Sequence, residues 1–176
     1  MLRSDDAGAS WRLAEGSDGN PDLEGPPATL VYPDVHSLNV HLSSPDLVFA
    51  PTGGGFYRSA DGGKTWELLY DCYCRAVWAD PDDPGHLVLG PADGVDRNGR
   101  IERTRDGGKT WQLASAGLEV PWKRSMVERF LEVERELLAV LSNGQLLSAP
   151  LESLSWHPIL PEIRGIAAAT AMAAGD

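Results

Sequence analysis

Residues 58–66 read Arg-Ser-Ala-Asp-Gly-Gly-Lys-Thr-Trp, and this stretch decides the fold because it is repeated elsewhere in the chain. Residues 103–111 read Arg-Thr-Arg-Asp-Gly-Gly-Lys-Thr-Trp, and residues 3–11 read Arg-Ser-Asp-Asp-Ala-Gly-Ala-Ser-Trp. Six of the nine positions follow one rule in all three copies: Arg, Ser or Thr, any residue, Asp, any residue, Gly, any residue, Ser or Thr, and Trp. Such repetition is typical of folds built from one recurring supersecondary unit.

The spacing of the copies fits one four-stranded propeller blade per repeat. Ser4 and Ser59 are 55 residues apart, Ser59 and Thr104 are 45 apart, and Thr104 and Ser148 are 44 apart. Blades of about 40 to 50 residues have this period. Residues 147–156 are a weaker fourth copy that keeps the Ser and the Trp, lacks the Asp and the Gly, and is one residue longer.

The chemistry of the motif predicts a hairpin turn followed by a return strand. Ser59 and Asp61 can accept hydrogen bonds from turn amides, and Gly63 tolerates a backbone conformation that a Cβ penalises. Trp66 is then a large apolar side chain that can pack between neighbouring sheets. The predicted structural residues of the three copies are Ser4, Asp6, Gly8, Trp11, Ser59, Asp61, Gly63, Trp66, Thr104, Asp106, Gly108 and Trp111.

These residues resemble the Asp-box, or BNR, repeat of sialidase-like propellers, sortilin-type receptors, some xyloglucanases and photosystem II assembly factors. The resemblance implies an all-β propeller of four-stranded antiparallel blades. It also implies that the Asp boxes lie at the blade periphery, between the third and fourth strands and away from the central ligand site. Asp6, Asp61 and Asp106 are therefore expected to be structural.

The repeat divides the chain into about three complete blades and terminal part-blades. The expected units are a part-blade at 1–14, a loop at 15–33, blades at 34–70, 71–115 and 124–160, and a terminal strand at 163–171. The expected strands of the blades are 35–42, 47–51, 55–59 and 65–69, then 74–80, 87–91, 100–104 and 110–114, then 127–133, 137–141, 145–148 and 155–159. An open arc would leave unpaired edges, so we expect a fragment of a larger propeller or completion by self-association. A strained four-bladed ring closed by the terminal strands is the alternative.

Composition limits the function classes. The 176 residues contain 15 Lys plus Arg against 26 Asp plus Glu, and a net charge of -11 disfavours nucleic acid as a partner. The apolar runs are too short for a membrane span. Two cysteines are too few for a secreted disulfide framework and predict a cytoplasmic protein, unless an upstream leader directs export.

Alignment of the innermost strands places four basic side chains at equivalent positions near the channel mouth: His36, Arg75, Arg129 and Arg164. Together with Tyr73 and Glu128 they are the candidate ligand-binding residues, because Arg presents a planar fork of donors to carboxylate, phosphate or sulfate. The alternative is a set of solvated strand-end residues paired with neighbouring acids at Asp34, Asp71, Glu128 and Glu162.

Other candidate sites favour structural roles. Cys72 and Cys74 could bind a soft metal with His36, but two packed thiols fit better, so no metal and no cofactor is predicted. Residues 93–99 could bind Ca²⁺ but fit an ordinary turn. Trp78 and Trp122 could stack a sugar or belong to the core. No spacing links His41, His86 and His157 as metal ligands, so they are predicted to be hydrogen-bonded or solvated histidines.

We expect a non-catalytic binding or scaffold module that holds a protein or a small anionic or sugar ligand at the channel mouth. The alternatives are a glycoside hydrolase of the sialidase or xyloglucanase type and an inactive fragment of a longer propeller. The resemblance to sialidases suggests comparing the Arg set, Tyr73 and Glu128 with their arginine triad, Tyr nucleophile and Glu partner. The sialidase motif around the first active-site Arg has no counterpart here, so no catalytic residue is assigned.

Overall fold

The computed structural model describes residues 1–14, 16, 30–161, 163 and 165–170. These residues form fourteen strands in three four-stranded sheets and one two-stranded sheet, with antiparallel neighbours throughout. The strands are β1 (Leu2–Arg3), β2 (Arg12–Leu13), β3 (Asn39–Val40), β4 (Val48–Thr52), β5 (Gly55–Ser59), β6 (Glu67–Tyr70), β7 (Tyr73–Ala79), β8 (Leu87–Ala92), β9 (Glu102–Thr104), β10 (Gln112–Leu113), β11 (Val127–Val133), β12 (Glu136–Leu141), β13 (Leu146–Pro150) and β14 (His157–Ile159).

Each four-stranded sheet is a meander in which the strands pair in chain order. We call the sheet of β3–β6 blade I, that of β7–β10 blade II, that of β11–β14 blade III, and the β1–β2 hairpin the part-blade. The predicted all-β architecture of four-stranded antiparallel blades is confirmed. Eleven of the twelve expected blade strands start and end within two residues of their observed bounds.

The expected strand 35–42 is the exception, because only Asn39–Val40 forms a strand there. Val35 makes an isolated bridge to Thr52, while the Ser37 hydroxyl donates to the Arg75 carbonyl oxygen at 2.8 Å. The segment before β3 thus bonds partly to its own blade and partly to blade II, which interrupts the ladder.

Apolar side chains between successive sheets form the core. One cluster joins blades I and II through Phe49, Phe56 and Leu89, and a second joins blades II and III through Ile101, Val127, Leu137 and Leu141. A third lies under blade I and is packed against Met1 of the part-blade. Stacked blades therefore bury their faces against each other, as repeat proteins do.

The repeat tryptophans pack on the blade that precedes their own. The Trp111 ring lies 5.8 Å from Phe56 and 5.4 Å from Tyr70 of blade I. Trp156 is 2% exposed, and its indole donates to the Ala114 carbonyl oxygen at 2.8 Å. The weaker fourth copy therefore keeps the same packing function.

Trp11 departs from this pattern. Its side chain is 63% exposed, whereas Trp66 is 2% exposed against the part-blade. The prediction that every repeat Trp packs between two sheets is wrong at Trp11, because no second described sheet covers its ring.

The three Asp boxes share one hydrogen-bond network. The Ser59 hydroxyl donates to Asp61 Oδ1 at 2.7 Å and accepts from the Gly63 amide at 2.8 Å. Asp61 also accepts from the Thr65 amide at 2.9 Å and its hydroxyl at 2.6 Å. The same bonds recur in the other copies, and Gly63 has φ of +89°.

Adjacent Asp boxes are also linked to each other. Arg3 donates to the Gly62 carbonyl oxygen at 3.1 Å, and Arg58 donates to the Gly107 carbonyl oxygen at 3.0 Å. The first Arg of the first and second motifs therefore holds the turn of the next Asp box, which gives this repeat position a structural function.

The described strands form an open arc. No described strand of the part-blade contacts a described strand of blade III, so a four-bladed ring closed by these strands is not formed. The expected terminal strand at 163–171 is also wrong for residues 163 and 165–170, which have no strand structure. Residues 162, 164 and 171 lie outside the described residues, as does most of the expected loop at 15–33.

Candidate functional site

The candidate site lies along the first strands of the blades, which are the innermost strands of a propeller. Two of these strands carry a β-bulge at the same level. The ladder of β7 shifts between Cys74 and Val77, and the ladder of β11 shifts between Val127 and Arg129. Bulges re-aim side chains and are over-represented next to functional sites. Here they hold Arg75 and Glu128, which face each other.

An ion pair between blades forms the centre of the site. Arg75 Nη1 donates to Glu128 Oε1 at 2.7 Å and to Oε2 at 2.9 Å. Both side chains are about 30% exposed, at 30% and 29%, so the pair is accessible from solvent. The hydrogen bonds to Glu128 raise the pKa of Arg75 above its ordinary value, although burial opposes this effect. Arg75 is therefore a permanent cation.

Tyr73 extends this pair toward blade I. Its hydroxyl oxygen accepts from Arg75 Nε at 3.1 Å and from Nη2 at 3.0 Å, and lies 3.3 Å from His36 Nε2. His36 Nδ1 lies 2.8 Å from the Cys74 carbonyl oxygen, which can only accept, so Nδ1 is the donor in this bond. Asp34 is also 3.3 Å from Nε2.

The structure thus brings together four of the six candidate residues: His36, Tyr73, Arg75 and Glu128. They form one continuous hydrogen-bonded chain across three blades. Two contacts expected if the basic residues pair with neighbouring acids are also present. His36 lies 3.3 Å from Asp34, and Arg75 is paired with Glu128. Arg164 and Glu162 lie outside the described residues.

Arg129, the fifth candidate residue, is exposed beside this chain. Its backbone pairs with Val140, but its side chain has no hydrogen bond or ion pair with another described residue. It lines a cleft of about 520 Å³ together with His36, Arg75 and Glu128. It also lines a smaller cleft of about 300 Å³, where Ile166 and neighbouring residues of the C-terminal segment form one wall. Arg129 therefore places a cation without a described partner at the junction of two clefts.

Several lining residues were missed by the sequence reasoning. Ser37, Asn39 and Phe130 line the larger cleft, and Ser142 lines the smaller one. Ser37 and Phe130 each follow a predicted site residue by one position. The alignment of strand starts could therefore have identified them as lining residues. Ser142 had no such signal, because it follows β12 and reaches the cleft through the fold of blade III.

The cysteines form no metal centre. Cys74 is fully buried in β7, and its thiol lies 3.7 Å from the Gly55 carbonyl oxygen. The hydrogen bond with the Cys74 thiol, followed by burial, raises the pKa of Cys72 well above its ordinary value, so the Cys72 thiol is protonated. Within the described ranges, no group of three or more His, Cys, Asp or Glu side chains could hold a metal ion.

Residues 93–99 form a closed turn. The Asp93 amide donates to the Arg97 carbonyl oxygen at 2.9 Å, and Asn98 donates to Asp93 Oδ2 at 2.9 Å. Arg100 Nη1 lies 3.5 Å from Asp93 Oδ1. The oxygens of Asp93 that could bind Ca²⁺ are thus used within the turn.

The remaining aromatic and histidine candidates have structural contacts. The Trp78 indole donates to Glu132 at 2.8 Å, and its ring meets His86 edge-on at 5.3 Å. Trp122 packs against the cluster between blades II and III. His41 and His86 are buried beside Asp80, whereas His157 is exposed.

The Asp-box carboxylates lie in turns at the far ends of the third strands. The hydroxyl and amide of Thr65 lower the pKa of Asp61 to about 2, and Ser10 lowers that of Asp6 to about 2 in the same way. Thr110 lowers the pKa of Asp106 further below its usual range. These carboxylates are fully committed to their own turns and form no part of the cleft.

Comparison with known proteins agrees with this geometry. The BNR/Asp-box repeat family matches residues 57–68 and 102–113. Among solved structures, an ancestral GH74 enzyme has a TM-score of 0.68 at 16% identity, over 90% of this chain and 21% of that chain. The GH74 xyloglucanase of Xanthomonas campestris has a TM-score of 0.64 at 17% identity, over 91% and 27%. YCF48 of Cyanidioschyzon merolae has a TM-score of 0.52 at 17% identity, over 76% and 38%.

This chain therefore carries BNR/Asp-box repeats on a β-propeller architecture, as the sequence predicted. Identities this low show the fold alone. The chain spans 21% to 38% of the length of these structures, and it covers less than half of a curated relative. That relative is the UDP-N-acetylenolpyruvoylglucosamine reductase of Gluconobacter oxydans, which is 25% identical over 146 residues, covering 76% of this chain and 46% of the relative. The part of the chain that the structure describes has no helix able to cross a membrane.

Proposed function

We propose that this chain is a non-catalytic propeller module that binds a ligand bearing a carboxylate, phosphate or sulfate group. The ligand is held in the cleft along the inner strands. The observation that carries the proposal is the Arg129 side chain, which has no charged partner among the described residues and lies beside the Arg75–Glu128 pair in a cleft of about 520 Å³. An anion there would gain charge-assisted hydrogen bonds without first breaking an ion pair of Arg129 with another described residue.

The arrangement around Arg129 supports binding rather than chemistry. The chain of His36, Tyr73, Arg75 and Glu128 is satisfied internally, so these side chains are held in fixed positions before a ligand arrives. Such preorganisation lowers the entropy lost on binding. The position of these residues on bulged strands, rather than on long loops, also favours a rigid seat.

The test is calorimetric titration with sulfate, phosphate, sialic acid and a carboxylate-terminated peptide. We expect at least one of these probes to bind, and the Arg129→Ala variant to bind it at least about 10-fold more weakly, because a charge-assisted hydrogen bond contributes about 1.5 to 3 kcal/mol. The matched control is Arg105→Ala, which removes an exposed Arg in the turn of the third Asp box. Equal binding by wild type and both variants would exclude the cleft as the site.

A glycoside hydrolase is the second candidate, because one side chain, Arg75, contacts both the Tyr73 hydroxyl and Glu128. A two-carboxylate mechanism places two carboxyl groups about 5 to 10 Å apart across the sugar. Glu128 is the one carboxylate among the described residues lining the two clefts, and it is held by Arg75. We therefore expect no turnover.

Assays with a fluorogenic sialoside and with xyloglucan oligosaccharides test this alternative. Tyr73→Phe keeps the ring and removes the hydroxyl, so it would abolish a reaction that uses Tyr73 as nucleophile. Turnover by the wild type that is lost in Tyr73→Phe would replace the binding proposal with the hydrolase.

A further inference from the structure

The exposed Trp11 points to an interaction surface. Trp111 and Trp156 each pack on the sheet before their own, and Trp66, in the cluster under blade I that Met1 packs against, is 2% exposed like Trp156. Trp11 occupies the same position in its hairpin but is 63% exposed. It is flanked by Leu2 and Leu13, which are 65% and 46% exposed. The part-blade therefore presents an uncovered copy of a contact that the described blades make twice.

The opposite end of the arc carries an uncharged cleft. A cleft of about 170 Å³ opens beside the last two strands of blade III. No charged side chain lines it among the described residues. Its lining includes Leu146, Ile159, Leu160 and Ile163, and the last two are 47% and 48% exposed.

The position of this cleft follows from the repeat. Ile159 comes three residues after its repeat Trp, as Leu69 does in blade I and Ala114 does in blade II. Leu69 lies in the cluster that includes Trp111, and the Ala114 carbonyl oxygen accepts from Trp156. Between blades I and II, and between blades II and III, this position of the fourth strand contacts the Trp of the next blade. In blade III no described Trp contacts the equivalent position, Ile159.

We propose that a second copy of this chain covers Trp11, with the indole of one copy inserted beside Ile159 and Leu160 of the other. The interface is head-to-tail, and it continues the internal blade-to-blade contact with residues that one chain carries at its two ends. Each copy has three blades and one part-blade, so two copies provide about eight blade positions, at the upper end of the size range of closed propellers. A ring of two copies uses both surfaces of each chain and leaves no open end.

A second copy is favoured over closure within one chain. The described strands of the part-blade make no contact with those of blade III, so the two ends of the described arc do not meet within one chain. The competing occupant is a preceding blade of a longer chain, and the experiment separates the two.

The test is sedimentation velocity on this chain over a range of protein concentrations. We expect a wild-type dimer with a dissociation constant below about 100 µM, and at least about a 10-fold weaker dimer in Trp11→Ser and in Leu160→Glu, because buried tryptophans dominate interface energies. The control is Leu42→Ser, which removes another exposed apolar side chain, at 83% exposure, and should leave the dimer unchanged.

A mixing experiment then tests whether the contact is head-to-tail. Trp11→Ser keeps an intact cleft, and Leu160→Glu keeps an intact Trp11, so an equimolar mixture should form a pair that neither variant forms alone. A mixture that stays monomeric would overturn the proposed contact. A wild-type chain that is monomeric at about 100 µM would also overturn it and would favour a preceding blade. Anion binding at Arg129 should be the same in Trp11→Ser, so failure here is distinct from failure of the proposed function.

Discussion

Replacing Trp156 by Ala should lower the free energy of unfolding more than Trp11→Ala, Trp156→Phe, Ala7→Gly or Asp61→Asn does. The side chain is 2% exposed between blades II and III, lies 6.2 Å from the Phe130 ring, and donates to the Ala114 carbonyl oxygen at 2.8 Å. Truncation of a buried Trp costs about 3 to 5 kcal/mol. Loss of the indole hydrogen bond adds about 1 kcal/mol. The expected decrease in the free energy of unfolding is therefore about 4 to 6 kcal/mol.

The assay is urea unfolding followed by circular dichroism, at concentrations where the chain is monomeric. Trp11→Ala is the matched control, because it deletes the same side chain at a position that is 63% exposed and should cost less than about 1 kcal/mol. Trp156→Phe keeps much of the buried volume and should lose about 2 kcal/mol, so it remains measurable if Trp156→Ala does not fold. Equal losses in Trp11→Ala and Trp156→Ala would refute the packing of repeat tryptophans between blades.

Three further predictions concern the Asp boxes and the site. Ala7 has φ of +58° where the other two boxes have Gly, so Ala7→Gly should protect the first turn from amide exchange by about 1 kcal/mol, whereas the neighbouring Ala9→Gly should not. Asp61 has a folded-state pKa of about 2, lowered by the Thr65 hydroxyl, so its stabilising effect is full above about pH 4 and declines as pH falls toward 2. Asp61→Asn should flatten the pH dependence of the urea midpoint in that window, and an unchanged profile would contradict the assignment. Glu128→Gln removes the charge paired with Arg75 and should tighten sulfate binding several-fold by calorimetry, and weaker binding would mean that Glu128 itself contacts the ligand.

The fold was largely predictable because the repeat combines three independent constraints. The Asp and Ser of each motif specify a turn, the Gly specifies a left-handed backbone, and the Trp specifies the buried face of the return strand. The strands around these points follow from short apolar runs between turn signals, and the bounds of β11 were predicted without error. The short β3 was not predictable, because its ladder is broken by hydrogen bonds from the preceding segment to blade II.

The site was predictable as a set of positions but not as a network. Alignment of the strand starts identified His36, Arg75 and Arg129 because equivalent positions of a repeat point to the same place. The pairing of Arg75 with Glu128, rather than with nearby Asp71, depends on bulges in both strands. A bulge changes the direction of one side chain and leaves no clear mark in a single sequence. The exposure of Trp11 depends on its neighbours in space, which a local motif does not encode.

Hydrogen exchange of the indole N–H groups, measured by NMR at low protein concentration, tests the central claim most directly. The claim is that the Asp-box hairpins place their tryptophans between radially packed sheets. We predict slow exchange for the indoles of Trp66 and Trp156, which donate to the Gly63 and Ala114 carbonyl oxygens, and rapid exchange for Trp11. Exchange of Trp66 and Trp156 as rapid as that of Trp11 would contradict the account.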